Sequence, residues 1–480
     1  MVGEEGPGFS RGSVGMSGVI GQSLSAMGLS GVIGTSVPVI AILAGAGGWL
    51  TWAIAAGVMM LVALSIALLS SHYATTGGLY GLAAKTLGPL GALVTGWLMV
   101  ALIGFAAGTA ILSFGIYFAN FLSAFGVTYG RPLLLGVSLP ALVACWWLAR
   151  VGAKPAAWFM FIAEVAATIA ILVVFVAVLF EHRGSIIDTE QLKLEHTSFS
   201  VIVTAVVLGV GGFGGFESAA IYGQESRRPT RVIPAAMVAT VAIGGLVWMF
   251  SSYTLFLGFQ DSTVSLAKSA APLGALAQVA GIGWYGYVID LSLSVTIGAS
   301  IIAVFSWVAR MMFTMSREGV GPPSWRAVHP RYKTPAKALT FAGVVWFVAV
   351  LAMGLGSSTP LATYGATIGD LSGYPLLLVY GLICVAACVY QWRAGKHRSL
   401  FILIGLAGAG AMAYVMRRSL IPWPPLPESI AAGAFLAGTA SIVIVYVVLR
   451  PRYRRVFAAL GNSVDEDTAE ALAEISLTPD

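Results

Sequence analysis

The chain has 480 residues, 58% of them hydrophobic and only 10% charged, with a formal net charge of +6. That balance lies far from a soluble domain's and identifies an all-α polytopic membrane protein. The basic residues are dispersed among short loops, so the positive charge is no nucleic-acid footprint.

In chain order, a polar segment over 1–16 precedes an apolar stretch too long for a signal-peptide core, and no cleavable leader is expected. Runs of about 20 apolar residues predict twelve spans, at 17–44, 48–71, 89–124, 132–149, 156–180, 199–222, 234–258, 284–314, 337–356, 361–390, 399–416 and 429–449. The third and eighth exceed what a bilayer requires and should tilt or extend beyond it. After the last span the tail over 451–480, with Asp465, Glu466, Asp467, Glu470 and Glu474, is short and acidic, expected to be disordered or a surface helix.

Lys and Arg alternate between loops as twelve spans demand. Lys85, Arg150, Lys154, Arg227, Arg228, Arg231, Arg317 and the run Arg450 to Arg455 fall on one side, against few such as Arg131, Arg183, Lys193 and Lys268 on the other. By the positive-inside rule both termini are cytoplasmic and the chain sits in the cytoplasmic (plasma) membrane, its basic loops meeting lipid headgroups.

Spans one and six are each interrupted by glycine, at Ser25-Ala26-Met27-Gly28-Leu29-Ser30-Gly31-Val32-Ile33-Gly34 and at Gly209-Val210-Gly211-Gly212-Phe213-Gly214-Gly215-Phe216-Glu217. Non-helical backbone at membrane depth is tolerated only where it lines a buried cavity, and paired glycine-broken spans point to a transporter's binding site. The five-span offset predicts two inverted halves, about 17–181 and about 199–391, with spans eleven and twelve (about 399–449) appended; together they form a transporter domain over 17–450. A broken helix presents free N–H groups and a positive dipole end to an anionic group. Ser30, Gly31, Gly34, Gly211, Gly212, Phe213 and Gly215 are therefore the candidate substrate-binding residues, with unwinding expected near Ser30–Gly34 and Gly211–Gly215. The alternative is that the glycines only let helices pack closely.

Two loops carry a resemblance. Glu217-Ser218-Ala219 with Glu225-Ser226-Arg227-Arg228-Pro229-Thr230-Arg231-Val232-Ile233-Pro234, and Arg310-Met311-Met312-Phe313-Thr314-Met315-Ser316-Arg317-Glu318-Gly319-Val320-Gly321-Pro322 with Arg331-Tyr332-Lys333-Thr334-Pro335, resemble the amino acid–polyamine–organocation (APC) superfamily over roughly residues 15–450. The resemblance implies a permease that holds an amino acid's carboxylate and amine at the two breaks. The first span departs from the family's compact Gly-Ser-Gly, carrying Ser30-Gly31-Val32-Ile33-Gly34-Thr35-Ser36 instead.

Intramembrane carboxylates are functional candidates by default. Glu217 follows the second break, Glu164 lies in span five, Asp290 begins span eight and Asp370 lies in span ten. Glu217 and Glu164 are the candidates for gating and for a co-transported proton. Phe105, Phe213, Phe216 and Tyr364 are aromatics placed to close over a substrate or to pack as core. The resemblance puts sodium, where used, between the first break and hydroxyls of span eight, here Ser292, Ser294, Thr296 and Ser300. Proton-coupled relatives place a span-five lysine there, but Ala167 or Thr168 takes its position. Proton-coupled uptake or sodium-independent exchange is thus expected.

No cofactor or metal is expected. Cys145, Cys384 and Cys388 sit in apolar segments as small hydrophobes, without metal-ligand spacing, and the five histidines fall in loops or at span ends. An intramembrane enzyme is disfavoured: Ile368-Gly369-Asp370 is no Gly-x-Gly-Asp, and no His-Glu-x-x-His occurs. The expected function is secondary transport of amino acids or related amines. A polyamine exchanger of the same fold is the alternative, a channel a more distant one.

Overall fold

The computed structural model describes residue 9 and residues 12–477, apart from 129, 184–185, 195–196, 261, 263–265, 267–270, 356–360, 396–398 and 427. Of the sequence candidates, the Tyr364 side chain lies outside the described residues. With no water in hydrocarbon to bond the backbone, apolar runs close their hydrogen bonds internally as helices. Among the described residues there are no strands, only an isolated bridge between Val14 and Ser226.

The helices are α1 Met16–Met27, α2 Leu29–Ala44, α3 Gly48–Ser70, α4 Leu79–Ser123, α5 Arg131–Val151, α6 Ala153–Glu181, the short α7 Thr189–Lys193 and α8 Phe199–Gly212. A 3-10 segment, Phe216–Tyr222, leads to α9 Pro229–Gln260, α10 Pro272–Val279, α11 Gly286–Arg317, α12 Ala336–Leu355, α13 Leu361–Arg393, α14 Ser399–Leu420 and α15 Glu428–Leu449. The short α16 Arg454–Ala458 and α17 Asn462–Leu477 close the chain. Ten helical stretches among the described residues are long and apolar enough to cross a membrane. The first, Met16–Ser70, contains α1, α2 and α3 and turns at Gly45–Gly47, so it supplies two crossings. With the shorter apolar helix α12, the twelve spans read from the sequence are accounted for.

The core pairings bring α3 against α9, α4 against α11 and α13, α11 against α6, and α5 against α12. Helices α14 and α15 pack on the outside of α13. Helix α4 is kinked at Gly88 (φ 76°), just before Pro89, which sets Leu79–Leu87 apart from the membrane-crossing part. Proline and a left-handed residue together are sufficient cause for that kink.

Both breaks are present, and the first is shifted from where the glycine run suggested. Span one is interrupted at Gly28 (φ 70°, ψ 51°), whose N–H returns to the carbonyls of Leu24 and Ser25 and ends α1. Ser30–Gly34 is helical, inside α2. Only Gly28 adopts the left-handed conformation that glycine tolerates without cost. Gly34 is instead a contact position, since a Cβ there would stand 2.7 Å from the Tyr117 hydroxyl. Span six continues helically through Gly211 and Gly212 and turns over Phe213–Gly215, with Gly215 at φ 110°. The tail, expected to be disordered or a surface helix, forms a helix, α17, packed against α4.

Candidate functional site

A cavity of about 620 Å³ lies between the two breaks. Glycine backbone from both breaks lines it: Gly28 and Gly31 from span one, beside Met27, and Gly211, Gly212, Gly214 and Gly215 from span six. Hydroxyls ring it at Thr35, Ser36, Thr109, Ser113, Thr296, Ser300 and Ser372, interleaved with apolar walls from Leu102, Ile116, Leu208, Ile297, Val304 and Leu376. Trp307 is the aromatic at its edge. No Asp, Glu, Lys, Arg or His is among the described lining residues.

Of the sequence candidates, Gly31, Gly211, Gly212 and Gly215 line the cavity; Ser30, Gly34 and Phe213 do not. Ser30 turns away because Glu164 engages it: one carboxylate oxygen accepts from the Ser30 N–H at 2.7 Å and from its hydroxyl. The other accepts from the Thr296 hydroxyl at 2.5 Å. Glu164 thus fastens the start of α2 to α6 and α11. The Gly34 carbonyl accepts from Tyr117. Phe213 is buried against Trp248 and Trp52, with ring centroids 4.6 and 6.3 Å away, because α9 and α3 cover that side of the turn. The Trp248 indole donates to the Leu29 carbonyl at 2.8 Å. Phe216 packs on Tyr380, and Phe105, on an exposed face of α4, is not in the cavity wall.

Glu217 is fully buried behind the second break. One of its oxygens accepts from the Gly215 N–H at 3.0 Å and the Tyr380 hydroxyl at 2.6 Å, and the other has no hydrogen-bond partner among the described residues. Of the span-eight hydroxyls, Ser292 and Ser294 donate to carbonyls of their own helix, Thr296 is committed to Glu164, and Ser300 faces the cavity. Asp290 is buried on α11, and Asp370 adjoins the cavity residue Gly369 without lining it.

Below the breaks the molecule is closed. Gln22 of α1 donates to the Ala303 carbonyl of α11 and accepts from Tyr222, and the Ser23 hydroxyl donates to the Phe216 carbonyl. Arg310 and Glu225, one from each of the two resembling loop motifs, form a buried two-pronged ion pair at 2.7 and 2.9 Å. Tyr222 and Phe9 stack on the guanidinium. The usable signal was a lone arginine within the apolar run of span eight, a charge that requires a partner. Both ends of the described chain gather on this face: Val14 pairs with residues 225–227, and α17 contacts α4 and the end of α11. Removing one partner of a buried pair strands the other charge, at about 3–5 kcal/mol. Arg310→Leu is therefore expected to lower the thermal midpoint in detergent sharply, and Glu225→Gln with Arg310→Leu to recover part of the loss.

The sequence profile of the family described as "Amino acid permease" matches residues 15–449. The chain belongs to that family. The permease is 29% identical over 421 residues to an uncharacterized transporter of Mycobacterium tuberculosis strain H37Rv, covering 86% of each chain. It is 26% identical to the branched-chain amino acid permease BcaP of Bacillus subtilis, over 76% of this chain and 80% of that one. Against the low-affinity putrescine importer PlaP of Escherichia coli K12 the figures are 27%, 65% and 68%. The permease is thus a multi-pass membrane transporter and not an enzyme.

Proposed function

We propose that this permease carries neutral amino acids with apolar side chains across the plasma membrane by alternating access. The observation that carries the reading is the cavity, which is lined by glycine backbone from both breaks and whose described walls hold no charged side chain. A zwitterion's carboxylate and ammonium can be met by amides and carbonyls of broken helices. The second ammonium of a diamine would need a carboxylate, because a buried unpaired charge is costly. The volume and the aliphatic walls suit a branched or aromatic side chain, in keeping with the branched-chain permease among the relatives.

The inverted-repeat arrangement over about 17–181 and 199–391 is supported by the matched breaks and by the pairing of α3 with α9 and α4 with α11. A cytoplasmic location of both termini makes the cavity outward-facing. Glu217 and Glu164 are the groups for proton coupling, each fastening one break, and the hydrogen-bonded hydroxyls around Glu164 favour a proton over sodium.

Counterflow in liposomes tests the substrate. Labelled leucine, valine and phenylalanine should accumulate against an internal load of each other, and putrescine and lysine should neither accumulate nor compete. Putrescine exchange without leucine exchange would replace this reading with an amine carrier.

A further inference from the structure

The acidic tail contributes a buried carboxylate to the closed face. Asp467 of α17 is 1% exposed. Its Oδ1 accepts from Gln224 at 2.7 Å and Arg317 at 3.1 Å, and its Oδ2 accepts from the Thr76 N–H at 3.1 Å and hydroxyl at 3.2 Å. One carboxylate thereby joins three places: the residue after the 3-10 segment and its turn, the end of α11, and the loop between α3 and α4. Nearby, Glu318, which follows α11, accepts from the Gly461 N–H and the Ser463 hydroxyl on one oxygen and from Tyr80 on the other. Val464 is fully buried, beside Gly81 of α4. Thr468 bonds the backbone of Ala74. Lys85 pairs with Asp465, and Arg317 with Glu466, but these acidic partners are exposed and such pairs contribute little. Asp467 is the strong element, with four charge-assisted hydrogen bonds out of water.

From this bridge we propose that α17 is a latch that holds the face bearing the termini closed and slows its opening. The inference goes beyond the substrate and requires only that α1 and the 3-10 segment, each joined to the rest through a break, move against α4 and α11. Gln224 sits on the first group; Arg317 and Thr76 sit on α11 and the loop entering α4. For that face to open, the two groups must part. Asp467 then has to surrender either Gln224 or its partners on the other side. A contact present in one state and absent in the other biases the equilibrium by its own differential free energy, and coupling of this kind ordinarily amounts to about 5- to 150-fold.

The test uses the full chain with its three native cysteines replaced by alanine and one cysteine introduced by Ala303→Cys. Ala303 is fully buried where Gln22 of α1 meets α11. In sealed inside-out membrane vesicles, a membrane-impermeant maleimide reaches that cysteine only when the face opens. Asp467→Asn should speed labelling about tenfold. Gln224→Ala, which cuts the bridge on one side and leaves α17 docked on Arg317, should act in the same direction. If Asp467→Asn fails to insert, Gln224→Ala decides. Labelling at the parental rate or slower in Gln224→Ala, or in both variants, overturns the latch. The assay needs no transported substrate, so it stands or falls separately from the leucine measurement.

Discussion

Replacing Glu217 with glutamine is expected to cut uptake about tenfold to a hundredfold and to flatten its response to an imposed proton gradient. The carboxylate holds the Gly215 amide and the Tyr380 hydroxyl on one oxygen, in a fully buried place behind the second break. A hydrogen bond to a charged group contributes about 1.5–3 kcal/mol, and each 1.4 kcal/mol is about a factor of ten. Glutamine keeps the size but places an amide donor where two donors already point, or turns its oxygen to them and loses the charge. It also cannot give up a proton. The measurement is uptake into proteoliposomes at several external pH values, with Glu164→Gln alongside. Normal rates and a normal pH profile for Glu217→Gln, or strict sodium dependence of the parent, would sink the coupling assignment.

The second large effect separates two glycines of one break. A Cβ at Gly211 meets nothing within 4 Å, and Gly211 lines the cavity. Gly211→Leu should therefore fold, purify as a monodisperse species and transport no leucine, while Gly211→Ala should shift preference toward smaller side chains. One methylene in such a pocket changes discrimination by about 1–3 kcal/mol. Gly215 behaves otherwise. At φ 110° a Cβ would stand 2.5 Å from the carbonyl carbon and oxygen of Ala26, which are backbone atoms and cannot swing aside. Gly215→Leu is expected to lose folded protein, not merely transport. At Gly212 the added atom meets the Trp52 ring at 3.1 Å, an intermediate case. Full leucine uptake by Gly211→Leu would show that the cavity is not the site.

What was legible in the chain follows from what each signal measures. Apolar run length reports hydrocarbon thickness, so the spans were readable, but the Leu79–Leu87 segment before the kink of α4 falls outside the third span as read, 89–124. The four glycines at 211, 212, 214 and 215 marked the second break because no regular helix tolerates so many without loss. The first break was placed a few residues late. Gly31 and Gly34 look like helix breakers but lie inside α2, Gly31 at the cavity and Gly34 tight against Tyr117, and the residue that actually turns, Gly28, stands alone among apolar neighbours. Backbone dihedrals leave no trace in composition. Sequence does not reveal on which side of a turn a ring lies, and the Phe213 ring lies against Trp248 and Trp52, away from the cavity lining. The docking of the tail was invisible for another reason: its anchors at Thr76, Gln224 and Arg317 lie 391, 243 and 150 residues away in sequence.

Trp248 touches both interruptions at once, bonding the Leu29 carbonyl beside the first and packing edge-on against Phe213 in the second. A rearrangement at either place must change the surroundings of one indole whose N–H is committed and whose ring is fully buried. The protein therefore carries an intrinsic optical gauge of its own cycle. Emission from Trp248, isolated by replacing the other twelve tryptophans, including the equally buried Trp52 that packs on it at 4.9 Å, would follow turnover of substrate-loaded vesicles in real time, with no label attached.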